Sequence, residues 1–212
     1  MSPKSKLSNE SKTKQNRQKR KPIEKQYNPD GFIPKHGGYK SLLTYQKAEI
    51  IYDGTVYFCK KYFQPRDRTI DQMVQAARSG KQNIVEGSMA SGTSKEMEIK
   101  LTNVARASLE ELLNDYKDFL RTRNLTIWDK KHPYYPRLTK LLTAKDATYE
   151  TYRKGIESPD PEVSANMMVG LINITSYLLA QQLKKLEKEF LKEGGLRERM
   201  SQARIDVRRK QK

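Results

Sequence analysis

The chain has little of what most enzymes place at their reacting centres. It holds one cysteine and two histidines among 212 residues. A lone Cys59 excludes a disulfide framework and leaves too few thiols for a cysteine-based zinc site, which fits a reducing compartment, so a cytoplasmic location is expected. His36 sits in a Gly/Pro-rich lead-in and His132 precedes Pro133. Neither has Asp, Glu or Cys partners at ligand spacing on a regular element, so no metal and no cofactor are expected. Cys59, in VYFCKKYF, lies on an aromatic stripe and reads as a buried, inert thiol, although Lys60 and Lys61 beside it are neighbours of the kind that lower a thiol pKa. The paired carboxylates Glu96/Glu98 and Glu110/Glu111 fall on different sides of a helix and read as solvated face or caps.

Long apolar runs are also missing. The most apolar window, ANMMVGLINITSYLLA at 165–180, is interrupted by Asn173, Thr175 and Ser176 and is shorter than the roughly 20 residues of a membrane span. The basic N-terminus has no apolar core behind it and does not read as a signal peptide. No membrane association is expected. No alternating strand pattern appears either.

What is present is positive charge, a formal net +17. Hydrophobic residues make up 35% against 32% charged, low for a compact globule, so part of the chain is expected outside the core. Residues 1–25 carry nine Lys/Arg against two acids and residues 192–212 carry eight against three. Residues 1–30 lack the apolar surface to offset their ordering entropy and read as a disordered basic arm. Residues 31–195 read as the folded domain and 196–212 as a basic tail or short helix anchored by Leu196, Met200 and Ile205.

Helical periodicity organises that domain. Leu43, Ala48, Ile50, Ile51, Tyr57 and Phe58 place a first helix over Ser41 to Phe63, with Ser41 as N-cap. Ile70, Val74, Ala77, Ile84 and Ser88 place a second over 69–88. A third over 94–123 carries Leu101, Ala105, Ser108, Leu112, Tyr116 and Phe119. Met168, Ile172, Thr175, Leu179, Leu183, Leu186 and Phe190 mark a fourth over 162–192, ended by Gly194 and Gly195. The expected fold is all-α: an antiparallel up-down four-helix bundle with disordered basic termini and an inserted segment, 126–161, between helices three and four. Leu138, Leu141, Leu142 and Tyr149 suggest one short extra helix in that insertion.

The stretch EGSMASGTSKE, 86–96, tests nucleotide binding. Gly87 and Gly92 have the spacing of a phosphate-cradling loop, but Thr93-Ser94-Lys95 reverses the order of lysine and hydroxyl, and a helix rather than a strand precedes it. A helix-to-helix corner fits better, with Gly87 ending helix two and Thr93 capping helix three in a box with Glu96.

Around this corner the residues resemble a known family. Arg78, Asn83-Ile84-Val85-Glu86-Gly87, Ser94-Lys95-Glu96, and Ala105 with Ser108-Leu109-Glu110-Glu111 are similar to the motifs of the four-helix-bundle family that includes proteins encoded within rRNA intervening sequences. The accessory variability protein of diversity-generating retroelements is a more distant member. The resemblance covers about residues 40–192, while the arm, the insertion and the tail depart from the minimal pattern. It implies no enzyme activity, a homo-oligomer (a pentamer by analogy), and a basic surface that engages nucleic acid and a reverse transcriptase.

The charges point the same way independently. Lys60, Lys61, Arg66 and Arg68 gather at the corner between helices one and two, and Arg78, Lys81 and Arg106 lie on helices two and three; clustered cations of this kind bind phosphates by displacing counterions. Tyr134 and Tyr135 beside Lys130, Lys131 and Arg137 either stack on unpaired bases or form a packed loop. The leading expectation is a non-enzymatic accessory protein that binds RNA or DNA. Two rivals are a protein-interaction scaffold whose basic tails serve solubility or acidic partners, and an enzyme centred on Glu86 paired with Arg78.

Overall fold

The computed structural model describes residues 31, 33, 35–144 and 146–211. The expected disordered arm over 1–30 lies outside the described residues. Among these residues the protein is all-helical, as the periodicity predicted. After a 3-10 turn, Tyr39–Ser41, come α1 (Leu43–Tyr62), α2 (Arg68–Ala90), α3 (Lys95–Thr122), α4 (Tyr135–Leu142), α5 (Tyr149–Ile156), α6 (Pro161–Glu193) and α7 (Leu196–Lys210).

The helix ends follow local chemistry. Asp67 caps α2, accepting from Thr69 N at 2.9 Å, and Asp160 caps α6 ahead of Pro161, accepting from Glu162 N at 2.8 Å. Gly194 ends α6 at φ 69°, the left-handed conformation that favours glycine. Three sequence expectations are corrected. Ser41 does not cap α1: its hydroxyl turns back to Gly38 O, and Leu42 holds the N-cap without a side-chain bond. Ser94, not Thr93, caps α3, accepting from Met97 N at 3.1 Å, while Thr93 Oγ1 donates to Ala90 O and Glu96 pairs with Lys100 at 2.7 Å instead of closing a box. Gly87 lies inside α2 and is buried there. Its lack of a Cβ serves packing rather than a turn, since a Cβ would lie 3.4 Å from Glu98 O and from Leu101 Cβ.

α1 packs on α2 and α6, and α3 on α2 and α6. Residue pairs give the directions. Gly80 meets Leu109 where Gly87 meets Glu98, so α2 and α3 run oppositely. Thr44 bonds Gln182 while Gly54 faces Met168, so α1 and α6 do too. The core holds Ala48, Ile51, Phe58, Met73, Leu109, Leu112, Tyr116, Met168, Leu171 and Ile172, all at most 1% exposed. α6 contains an 18-residue window of mean hydropathy 1.4, apolar and long enough to cross a membrane by those measures alone, but 61% of it is buried against the other helices. A helix apolar all round is what a core position requires. The 126–161 stretch contains two short helices, α4 and α5, where the sequence suggested one; both pack on α6, with Gly155 and Gly170 as the close-approach points.

Candidate nucleic-acid interface

The C-terminal ends of α1 and α3 and the N-terminal ends of α2 and α6 meet at one end of the molecule. Rings close it. Phe58 centres the cluster, with centroids 4.9 Å from Tyr62 and 4.7 Å from Phe119, and Phe63 lies 5.5 Å from Phe119. Aromatic side chains at such spacings pack edge to face and fill the space between the helix ends. Cations ride on the rim of this cluster. The Arg123 guanidinium lies 3.9 Å from the Phe119 centroid and 5.3 Å from Phe63. In the turn from α1 to α2, Arg66 takes φ 81° and Asp67 is held below the usual carboxylate range by its bonds from Thr69, with Arg123 adding to the effect.

Lys60, Arg66 and Arg68 project from this end and are exposed. Among the described residues, none of the three pairs with a carboxylate. Lys61 has other work. Its Nζ donates to Glu157 O at 3.1 Å, Ser158 O at 3.0 Å and Tyr57 Oη at 3.1 Å, and Tyr62 Oη also donates to Ser158 O, so Lys61 docks the α5–α6 link onto α1. The Tyr57 bond holds its ammonium above the ordinary lysine range.

The other three candidate cations are dispersed. Lys81 lies half-buried with Nζ 4.2 Å from the Tyr52 centroid on the α1 side of α2, and Arg78, three residues earlier, is exposed on the neighbouring face. Arg106 sits on the opposite flank. It follows Lys95 by about three helical turns, and Lys95 reaches Glu189 of α6 at 3.6 Å, so Arg106 looks toward α6. The structure thus gathers Lys60, Lys61, Arg66 and Arg68 and adds Arg123, while Arg78 with Lys81 and Arg106 stand on separate faces.

The loop after α3 lies at the same end. Glu162, in the first turn of α6, accepts from Thr126 N and from Trp128 Nε1, each at 2.9 Å. Asn166, 1% exposed, accepts from Trp128 N and donates to Thr126 O, both at 2.8 Å. These bonds, Thr126 N first, hold the Glu162 carboxyl below its ordinary range, and nearby His132 adds to the effect. Sequence reasoning missed this clamp and Arg123. The Asn and Glu four residues apart at a helix start were a signal for the clamp, and the aromatic-Arg step from Phe119 to Arg123 was one for the other.

The motif residues run from the middle of α2 and α3 toward their opposite end. Asn83 donates to Ser79 O at 2.9 Å and to Ser79 Oγ at 3.2 Å, and Ser79 Oγ meets Ser108 Oγ at 2.9 Å, which joins two of the motif positions through a third side chain. Glu86 is exposed, and among the described residues it forms no ion pair with Arg78, itself exposed. The expected Glu86–Arg78 pair is therefore absent, because eight residues of α2 separate the two by about 12 Å of helical rise. Glu98 is the buried acid, bound by Lys95 at 2.9 Å, while Glu96 is exposed with Lys100. Burial pushes the Cys59 thiol up to about 12, against its Lys neighbours, whose ammonium groups point outward or to carbonyls. Comparison with protein-family models, curated proteins and solved structures finds no match.

Proposed function

We propose that the protein is a non-enzymatic helical bundle that binds RNA or DNA through phosphate contacts at the α1–α2 end. In this reading α1, α2, α3 and α6 form an antiparallel up-down four-helix bundle, α4 and α5 form an insertion between the last two, and α7 is a basic appendage. The observation that carries it is the group Lys60, Arg66, Arg68 and Arg123 at one end. The first three are exposed without carboxylate partners among the described residues, and Arg123 is held by ring faces. Phosphate is the anion that clustered Arg binds bidentately. The molecule acts as a cytoplasmic homo-oligomer, a pentamer by analogy with the family it resembles, and serves a reverse transcriptase or another nucleic-acid enzyme.

Salt titration tests it. Affinity for a mixed single- and double-stranded pool should fall linearly on logarithmic axes, with a slope of about −0.9 per duplex phosphate bound or about −0.7 per single-strand phosphate. A flat response rejects phosphate binding.

A second reading, a protein-interaction scaffold, has its own observation. The end opposite the rings leaves Leu43, Met89, Met97 and Leu191 exposed, Leu191 at 85%. Apolar surface of that kind marks protein contact. Light scattering on the full chain should give an oligomer; a monomer at micromolar concentration removes self-association from the proposal.

A further inference from the structure

We propose that loop 124–134 is a stacking platform for one unpaired base of a single-stranded nucleic acid. This rests on the nucleic-acid reading above and gives it a preferred substrate.

The loop is fixed from below. Glu162 and Asn166 hold its backbone and the Trp128 indole, and Trp128 packs partly buried against the core. On that base His132 lies flat over Trp128, centroids 4.7 Å apart and planes at 8°, and Tyr134 leans on both, 5.3 Å from Trp128 and 5.6 Å from His132. Asp129 is occupied with the turn, accepting from Lys131 N at 2.9 Å. Three rings are therefore held in place, and the outermost, Tyr134, is 56% exposed. A ring fixed this way loses little conformational freedom when a planar ligand lands on it.

The surrounding charge chooses the ligand. Lys130, Lys131 and Arg137 are exposed, and among the described residues none of them pairs with a carboxylate. A ring cluster that took a methylated lysine or another cation would be rimmed by free acids; here Glu162 and Asp129 are occupied by the clamp and the turn, and Lys130, Lys131 and Arg137 outnumber them, which favours an anion. A planar group carried on an anionic backbone is a nucleotide, and its base is available for stacking only where it is unpaired. Continuity with the cationic end supports a strand rather than a single nucleotide: Lys61 binds carbonyls at 157–158 and Trp128 binds Glu162, so one short segment joins both features.

Trp128 is the chain's single tryptophan, so fluorescence excited selectively at tryptophan, apart from the 12 tyrosines, reads this platform. The full chain is titrated at low salt with an oligothymidylate and with a hairpin duplex of equal nucleotide number, as wild type, Tyr134→Ala and Tyr134→Phe. The expected result is saturable quenching by the single strand, a loss of about 5- to 150-fold in single-strand affinity for Tyr134→Ala, near-wild-type behaviour for Tyr134→Phe, and duplex affinity indifferent to both. The Phe variant keeps the ring and guards against loop collapse in the Ala variant. Salt-sensitive binding in which Trp128 stays silent and Tyr134→Ala changes nothing overturns the platform and leaves the phosphate reading standing. Absence of any binding at low salt overturns both. Equal quenching by polyglutamate also overturns the platform, because charge alone would then suffice.

Discussion

The two ends of this molecule pack differently: rings fill the α1–α2 end, and Gly87 brings α2 and α3 together toward the other. At the α1–α2 end, Phe58, Tyr62, Phe63 and Phe119 pack ring against ring between helices, and Arg123 lies across the rings. Large rings occupy the interior there, and Lys60, Arg66, Arg68 and Arg123 lie outside them. Gly80, midway along α2, and Gly87, nearer the α2–α3 end, bring α2 close to α3, and at that end Gly37 N donates to Ser88 O while Arg199 Nη2 donates to Gly92 O. Met89 and Met97 at that end are 51% and 46% exposed. Exposed cations without carboxylate partners mark the first end among the described residues, and exposed Leu43, Met89, Met97 and Leu191 mark the second.

If that contrast is right, removing volume harms one end and adding it harms the other. Phe58→Ala, which empties the centre of the ring cluster, should destabilise by about 3–5 kcal/mol in urea unfolding. Gly87→Leu should cost about 1–3 kcal/mol by overpacking against Glu98 O and Leu101. Equal tolerance of both changes would dissolve the distinction between the ends. Function divides the ends in the same way. Arg66→Glu with Arg68→Glu should weaken nucleic-acid binding on the order of tenfold and flatten the salt slope by about one unit for each phosphate no longer bound, whereas Leu191→Ser, at the far end, should leave binding alone and shift only the oligomeric mass.

The long helices were legible because 3.6-residue periodicity survives any tertiary arrangement: Leu112, Tyr116, Met168 and Ile172 are all buried as spaced. The corners were legible only in kind. Gly87 looked like a helix terminator because glycine serves both turns and close packing, and one sequence does not say which; the answer depends on Leu101 of the next helix. Thr93 and Ser94 are adjacent hydroxyls with equal capping chemistry, and the choice of Ser94 was set by where the chain left α2. The cations at the α1–α2 corner were placed by proximity in sequence. Arg106 was not, since its flank is fixed by which side of α3 meets α6. The Trp128 clamp joins residues 34 to 38 apart through an irregular loop, where no periodicity speaks.

The smallest expected effect compares two carboxylates, one at each end. Glu162 and Glu96 both titrate below the ordinary range, but for different reasons: Glu162 through bonds from Thr126 N and Trp128 Nε1, Glu96 through an exposed pair with Lys100. A carboxyl whose folded pKa is depressed binds fewer protons in the native state than in the unfolded chain. Its contribution is therefore complete above the unfolded value, about 4.3, and is lost as pH falls through the lower native value. Glu162→Gln should cost about 1 kcal/mol at neutral pH, flatten the acid limb of stability, and abolish an acid-induced change in Trp128 fluorescence. Glu96→Gln should leave that limb where it was, because a solvent-screened pair adds little in either protonation state. If instead Glu96 governs the acid limb, the loop clamp is not what ties 124–134 to α6, and the rings above it are held by packing alone.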